Sequence, residues 1–228
     1  MSQSRAAALW QACQDLAGAC RDHPFVRGIA SGDLPRSRFA WYVGQDACFL
    51  EAFARAYALA LAKAPDAGAM REFRDLLDGV LAELQLHAGY AARWGIALQP
   101  EPAPATRAYT DFVLRVAWSE PVGRIAAAMT PCMRLYAYLG RSLRDELRPD
   151  SPYREWVETY ASPEFEALAR RLEDLLDRYD DGSPEVARYY RAAMELEWRF
   201  FDAAWHAPGA GTGCGAGTGT GAARREDR

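Results

Sequence analysis

The chain has 228 residues, of which half are apolar, 12% are aromatic and a quarter are charged. This composition is typical of a globular protein, and the length is sufficient for one large domain or two small ones. The formal net charge is −4 and the sequence contains no basic run, which argues against a nucleic-acid-binding surface.

Neither a leader peptide nor a membrane span is predicted. The first sixteen residues carry charge early and have no apolar core, and charged residues interrupt every apolar stretch well before 18 residues. The five cysteines form no CxxC pair and are too irregularly spaced for a disulfide framework. We therefore expect a cytoplasmic protein.

Apolar residues recur with the helical period of 3.6 along 1–206. Four serines stand just before a proline and supply an N-cap beside a first-turn proline, which indicates helix starts: Ser119-Glu120-Pro121, Ser151-Pro152, Ser162-Pro163 and Ser183-Pro184. We predict a single all-α domain, a helical bundle with short connections. The predicted helices are 3–22, 36–64, 66–94, 105–118, 120–147, 152–159, 163–180 and 184–206.

The composition changes at Ala207. From there the chain is rich in Gly, Ala and Thr and offers no large apolar groups for a core. We predict a flexible tail over 207–228 whose removal after His206 leaves activity and stability unchanged.

The predicted helix 36–64 carries a carboxylate on its apolar face. Asp46 lies four residues after Tyr42 and four before Leu50, so it faces inward among aromatic residues. A buried carboxylate costs several kcal/mol unless it is paired. Asp46 is therefore either half of a structural ion pair or a functional group.

The predicted helix 66–94 places Glu83 and His87 at i and i+4, where they can share a face. A di-iron bundle needs several carboxylates and at least two histidines that converge. His23 lies near a helix end and His206 borders the tail, so no metal site is predicted. His87 is expected either to donate a hydrogen bond behind the site or simply to pack.

Two later helices carry the other inward-facing reactive groups. Cys132 lies on the apolar face of helix 120–147, and Glu197 lies on that of helix 184–206. A buried cysteine is ordinarily a small apolar residue. Together with Asp46, however, the pattern predicts one polar, aromatic-lined pocket. A thiol with carboxylates and no histidine partner suits covalent catalysis on an electron-poor ring.

Four segments carry a likeness to a known family: Tyr-Val-Gly-Gln-Asp-Ala-Cys-Phe-Leu at 42–50, Met-Thr-Pro-Cys-Met-Arg-Leu-Tyr at 129–136, Trp-Val-Glu-Thr-Tyr at 156–160 and Met-Glu-Leu-Glu-Trp-Arg-Phe-Phe at 194–201. Through them the chain resembles the cysteine-bearing branch of the TenA/thiaminase II family over 1–206. The resemblance implies a haem-oxygenase-like helical fold.

The resemblance also implies an activity. Family members are aminopyrimidine aminohydrolases of thiamin salvage, and some cleave thiamin itself. The family's nucleophile falls on Cys132, its catalytic glutamate on Glu197 and its pyrimidine-binding aspartate on Asp46. Its aromatic pocket positions fall on Tyr109, Tyr136, Tyr160 and Phe200, with Phe49 where the family often has a tyrosine.

The expected partner is a small aminopyrimidine or thiamin, without a cofactor, nucleic acid or membrane. How the Cys132 thiolate is stabilised stays open, because Arg134 points elsewhere on the helix. The resemblance implies a homotetramer, in which Trp94, Trp118 and Tyr138 either make subunit contacts or complete each monomer's core. Two alternatives are an oxidase of the same fold, of the pyrroloquinoline quinone synthase or di-iron type, and a non-enzymatic ligand-binding or regulatory protein.

Overall fold

The computed structural model describes residues 4–96, 98 and 100–207. These residues form ten α-helices and no strand. The helices are α1 (Arg5–Ala12), α2 (Gln14–Arg21), α3 (Pro24–Ser31), α4 (Arg36–Lys63), α5 (Ala67–Trp94), α6 (Pro104–Ser119), α7 (Val122–Arg144), α8 (Arg154–Tyr160), α9 (Pro163–Tyr179) and α10 (Pro184–His206). The all-α class is thus confirmed. Apart from Ala207, the predicted tail lies outside the described residues.

The N-terminal region differs from the prediction. The single helix expected over 3–22 is divided at Cys13, whose backbone has φ −112° and ψ 18°. The eight-residue helix α3 was not predicted. It starts at His23, whose ring Nδ1 accepts a hydrogen bond from the Phe25 amide, and ends at Gly32 in the left-handed region. Histidine is not one of the usual N-cap residues, which explains why this start was missed.

The predicted starts of α9 and α10 are confirmed, whereas two other serines have different roles. The Ser162 hydroxyl accepts from the Phe165 amide at 3.1 Å, and Ser183 is the N-cap of α10. Ser119 is the last residue of α6, and α8 begins three residues after Ser151. Helix α7 also ends earlier than predicted, at Arg144.

Helix α7 lies at the centre of the bundle, between α9, α10 and α8, and 18 of its 23 residues are buried. Gly140 allows α8 to approach α7 closely, because a Cβ there would lie 2.4 Å from the Tyr160 carbonyl carbon. As a result the rings of Tyr136 and Tyr160 meet edge to face at 4.7 Å. Helix α4 packs on α5 and α6 beside this centre.

Lys63, the only lysine of the chain, joins the ends of α4 and α6. Its ammonium group donates to the carbonyl oxygens of Ala117, Trp118 and Glu120 at 2.7–2.9 Å. Three donors thus satisfy three acceptors at a helix C-terminus, where a cation is also favoured by the helix dipole. This contact holds α6 in place against α4.

The three aromatic residues considered for subunit contacts differ in exposure. Trp94 packs between Phe39 and Tyr153, and Tyr138 packs on Trp10, so both complete the chain's own packing. Trp118 is 70% exposed at the end of α6. Within the described part of the chain, no helix is both long and apolar enough to cross a membrane.

Candidate active site

A small cavity at the centre of the bundle, here called the inner cavity, contains most of the predicted site residues. Its free volume is about 10 Å³, which is roughly the space for one water molecule. Five of the eight predicted residues line it: Asp46, Phe49, Cys132, Tyr136 and Tyr160. Its other lining residues are Leu50, Phe53, Glu83, Met133 and Phe165.

The remaining three predicted residues lie directly behind this lining. Glu197 lies close enough to Cys132 to affect the pKa of its thiol, and the Tyr109 hydroxyl donates to Glu197 Oε1 at 2.7 Å. Phe200 packs behind Phe49, with ring centroids 6.4 Å apart. The structure therefore brings all eight residues into one region, although they come from five helices.

Asp46 is paired with His87. Oδ2 of Asp46 lies 2.7 Å from Nε2 of His87, and Nδ1 of His87 lies 3.0 Å from the backbone oxygen of Glu83. Both ring nitrogens thus face acceptors, and both can donate only when the imidazole is protonated. Burial lowers the pKa of His87, but the hydrogen bond and charge of Asp46 outweigh it and raise that pKa to about 9. Of the two roles considered for His87, the structure shows the hydrogen bond at the site.

Glu83 is a site residue that the sequence interpretation considered only as a metal ligand. Its Oε1 accepts a hydrogen bond from the Tyr160 hydroxyl at 2.5 Å, and its side chain lines the inner cavity. Burial and the charge of Asp46 raise the pKa of Glu83 to about 7, against the opposing effects of His87 and Tyr160. The sequence signal for Glu83 is its spacing of four residues from His87, because this spacing places both side chains on the same face of α5.

The thiol of Cys132 lies in an acidic environment. Burial, followed by the charges of Glu197 and Glu83, raises the pKa of Cys132 well above its ordinary value. Burial also raises the pKa of Glu197 to about 8, and the hydrogen bond from Tyr109 opposes this only in part. Burial thus favours the protonated form of both groups. Arg134 points away, as expected, and pairs with Glu166 and Glu173.

A chain of hydrogen bonds orients the hydroxyl of Tyr136. Trp156 Nε1 donates to the Tyr42 hydroxyl at 3.2 Å, and Tyr42 donates to Tyr136 at 3.2 Å. Because the Tyr136 oxygen accepts in this chain, its own proton remains for a group in the inner cavity.

The glutamine of the 42–50 motif has a structural role. Oε1 of Gln45 accepts from the Ala103 amide at 2.8 Å and from the Thr106 hydroxyl at 2.6 Å, and Nε2 donates to the Glu101 carbonyl. These hydrogen bonds link the start of α6 to α4 through Gln45, which directly precedes Asp46 in the sequence.

Two of the three histidines lie against one carboxylate, and the third is elsewhere, at the inner cavity. His23 caps α3 and lies 3.6 Å from Asp202, and His206 lies 3.3 Å from the same carboxylate near the end of α10. His87 is on α5. Among the residues that the structure describes, no three His, Cys, Asp or Glu side chains form a group suited to a metal ion.

Comparison with known proteins identifies close relatives. The chain is 37% identical over 215 residues to an aminopyrimidine aminohydrolase of Halalkalibacterium halodurans, a match that covers 89% of this chain and 96% of that protein. It is 34% identical over 207 residues to the thiamine biosynthesis multifunctional protein ThiED of Corynebacterium efficiens. That match covers 86% of this chain but only 28% of the much longer relative. The prediction of a hydrolase agrees with the name of the first relative.

A solved structure supports the same relationship. A TenA family transcription regulator from Silicibacter sp. TM1040 superposes with a TM-score of 0.83 at 28% identity, covering 89% of this chain and 97% of that one. The haem-oxygenase-like helical fold implied by the motifs is thereby confirmed. The sequence model of the TENA/THI-4/PQQC family matches residues 10–207. Since this match covers most of the sequence, the chain belongs to the TENA/THI-4/PQQC family.

Proposed function

We propose that this protein is an aminopyrimidine aminohydrolase of thiamin salvage. It converts 4-amino-5-aminomethyl-2-methylpyrimidine and water into the 5-hydroxymethyl pyrimidine and ammonia. The observation that carries the proposal is a buried thiol that lines one cavity with an aspartate paired to a histidine, with the buried carboxyl of Glu197 nearby. Family membership and the names of the relatives support it.

The inner cavity offers the groups that such a ring needs. Asp46 accepts from the 4-amino group beside ring nitrogen N3, and Glu197 hydrogen-bonds ring nitrogen N1. Phe49, Tyr136 and Tyr160 supply flat aromatic surfaces. Because the free volume is that of one water, side chains of the lining must move when the ring enters. Met133 is the most adaptable of them.

In the first step the Cys132 sulfur adds to ring carbon C6. The pKa of this thiol is raised, so the proton must leave as the C–S bond forms. Glu197 contacts the thiol and has a pKa of about 8. It gives its own proton to N1 and takes the thiol proton, so the carboxyl ends as it began. This proton transfer removes the need for a stable thiolate in the empty site.

In the second step the ring expels the amine. The substrate amine reacts in its ammonium form. The electron pair of the 4-amino nitrogen forms a double bond to C4, the C4–C5 double-bond pair forms the exocyclic bond from C5 to the methylene, and ammonia leaves with the electrons of the methylene–nitrogen bond. Positive charge develops on the 4-amino nitrogen, where the Asp46 carboxylate stabilises it. His87 holds this carboxylate in position.

Water then adds to the exocyclic methylene, and a proton of that water is lost. The sulfur leaves C6 with the electrons of the C–S bond, and N1 returns its proton through Glu197 to the thiol. The net reaction exchanges ammonia for water and regenerates the enzyme.

A chromatographic assay of released ammonia and hydroxymethyl pyrimidine tests the proposal, with thiamin as a second substrate. The wild type is expected to release both products in equal amounts. Cys132→Ser should lose about 10³-fold or more in kcat and still bind the product, because nucleophilic catalysis is lost but the cavity remains. Cys48→Ser is the matched control, since this partly exposed thiol does not line the inner cavity and its replacement should keep near-normal kcat.

Two results would contradict the proposal. Near-normal turnover by Cys132→Ser would exclude the covalent mechanism, and a wild type without turnover would exclude the activity. The two alternatives give different results in parallel assays, because an oxidase consumes oxygen and a regulatory protein keeps its function without Cys132.

A further inference from the structure

Three buried aromatic side chains from three helices form a hydrogen-bonded chain that ends at the inner cavity. They are Trp156 on α8, Tyr42 on α4 and Tyr136 on α7. Nε1 of Trp156 lies 3.2 Å from the Tyr42 hydroxyl, which in turn lies 3.2 Å from the Tyr136 hydroxyl. Of the three, Tyr136 alone lines the inner cavity, so the other two act on a bound ring through it.

The chemistry of these groups gives the chain one direction. An indole N–H can only donate, so the Tyr42 oxygen accepts from Trp156. Because the indole proton occupies that side of the oxygen, the Tyr42 proton points to Tyr136, its acceptor among the described residues. A reversed Tyr136 would leave the buried Tyr42 proton without an acceptor, which is costly. The Tyr136 proton is therefore directed into the inner cavity, and each donor in the chain strengthens the next.

An acceptor lies next to this donor. Asp46 follows Tyr42 by one helical turn on the same face of α4, and it lines the inner cavity together with Tyr136. His87 pairs with Oδ2 of Asp46 at 2.7 Å, and a carboxylate can only accept. The inner cavity thus presents one acceptor and one donor from neighbouring positions.

The 4-aminopyrimidine ring of the proposed function has the complementary pattern. Its 4-amino group donates, and the adjacent ring nitrogen N3 carries a lone pair and accepts. In the proposed reaction Asp46 accepts from the 4-amino group and Glu197 serves N1, so N3 still needs a donor. The Tyr160 hydroxyl, which also lines the cavity, is used by Glu83 at 2.5 Å. Tyr136 is the lining residue that can donate to N3.

We propose, on the basis of the proposed function, that Trp156 is a positioning residue for recognition of ring nitrogen N3. Through Tyr42 it directs the Tyr136 proton into the inner cavity, where Tyr136 donates to N3. This contact selects a ring with an unprotonated nitrogen next to its amino group. A ring with C–H or N–H at that position leaves a buried donor without an acceptor, which reduces affinity.

The test measures, by calorimetry, binding of two ligands that differ in one ring atom. They are the hydroxymethyl pyrimidine product and its 3-deaza analogue, in which C–H replaces N3. The analogue has a more basic N1, so each ligand is compared between variant and wild type and not with the other ligand.

Trp156→Phe removes the indole N–H. It should weaken product binding about three- to tenfold, the value of one hydrogen bond, and change binding of the analogue less than about twofold. Tyr42→Phe and Tyr136→Phe should show the same pattern. Trp10→Phe is the matched control and should leave both affinities unchanged, because Trp10 is partly buried on α1, packs on Tyr138 and does not line the inner cavity.

Two further variants separate positioning from packing. Replacing Trp156 by 3-benzothienylalanine keeps the shape of the ring and removes the N–H, so it should reproduce the effect of Trp156→Phe even if phenylalanine disturbs the fold. The double variant Trp156→Phe/Tyr42→Phe should bind the product no more weakly than Tyr42→Phe alone, because Trp156 acts through Tyr42.

Three results would overturn the proposal. Unchanged product binding in the benzothienyl variant would show that the N–H has no role, and equal weakening of product and analogue would show that Trp156 only supports the cavity. Additive losses in the double variant would exclude action through Tyr42. In each case a wild type that releases ammonia from the aminomethyl pyrimidine keeps the proposed function. A wild type that binds neither ligand and releases no ammonia would refute both.

Discussion

Two residues of α7, Cys132 and Arg134, are only two positions apart but lie in opposite electrostatic environments. Arg134 is 7% exposed and donates to Glu173 through Nε at 2.7 Å and to Glu166 through Nη1 at 3.0 Å. Glu166 also binds Arg141. On the other side of the helix, Cys132 is buried beside Glu197, with Glu83 and Asp46 as further acidic neighbours.

The two environments distinguish buried charges that stabilise the fold from buried acids that are available for proton transfer. Burial opposes ionisation of both Arg134 and Glu166, but their ion-pair partners outweigh it. Glu173 and then Glu166 raise the pKa of Arg134, and Arg170 and then Arg134 lower the pKa of Glu166. Around Cys132 the balance is reversed, and burial keeps the thiol and Glu197 protonated. A matched ion-pair network holds two helices together, whereas buried acids with raised pKa values are available for proton transfer.

The largest effect is expected on the reactive side. Glu197→Gln removes the carboxyl that exchanges protons with Cys132 and the ring in the proposed mechanism, so kcat should fall about 10²- to 10⁴-fold. The product should still bind, because the amide keeps the size of the side chain. Chromatographic turnover and calorimetric product binding measure the two effects. A variant with wild-type kcat would show that the proton transfer does not depend on Glu197.

The Glu197→Gln variant should also change how the stability of the protein depends on pH. The pKa of Glu197 rises from an ordinary value of 4.5 to about 8 on folding, so its contribution to stability is fully present below about pH 4.5 and is lost as the pH rises to about 8. Glu197→Gln lacks this term. Its melting temperature should therefore fall less between pH 5 and pH 8 than that of the wild type, and parallel slopes would contradict the raised pKa.

On the side of α7 that carries Arg134, the expected effect of a substitution is a loss of stability. Arg134→Met leaves Glu173 without its cation, and breaking such a buried pair costs about 3–5 kcal/mol of unfolding free energy. Arg141→Met is the matched control, because Arg141 is half exposed and its ion pair is worth less than about 1 kcal/mol. Urea unfolding measures both. If the two variants lost equal stability, the contrast between the sides of α7 would be wrong.

A smaller effect is expected at Phe49, which lines the inner cavity where the family often has a tyrosine. Phe49→Tyr adds a hydroxyl, and one hydrogen bond to substrate is worth about 0.5–1.5 kcal/mol, which corresponds to a gain of up to about tenfold in kcat/KM. Phe112→Tyr serves as the control and should give no gain, because Phe112 is a partly buried ring on α6 that does not line the inner cavity. A loss of activity in Phe49→Tyr would show that the cavity has no partner for the new hydroxyl.

The smallest effect is expected for Trp118, which lies at the end of α6 and not on α7. The homotetramer remains a prediction, and light scattering should give about 100 kDa for four chains of 25.3 kDa. Trp118 is the exposed member of the three aromatic residues considered, so Trp118→Ser should lower the mass at micromolar concentration without changing kcat. A monomeric wild type would refute the assembly and leave the chemistry intact.

The sequence by itself determined the helices and the inward direction of the reactive groups. The 3.6-residue period of α4, α7 and α10 places Asp46, Cys132 and Glu197 on apolar faces, and the structure finds all three buried. The period works because a long amphipathic helix must bury one face. It did not predict the break between α1 and α2 at Cys13 or the short helix α3, because eight residues give too few turns for a clear pattern.

Only the tertiary structure decided which groups meet. Asp46 and His87 are 41 residues apart, and Glu83 and Tyr160 are 77 residues apart. Periodicity shows that a side chain faces inward, but its partner depends on how the helices cross and on close approaches such as that at Gly140. The protonation of Cys132 and Glu197 likewise follows from packing, because burial among other acids, and not residue type, sets their pKa values.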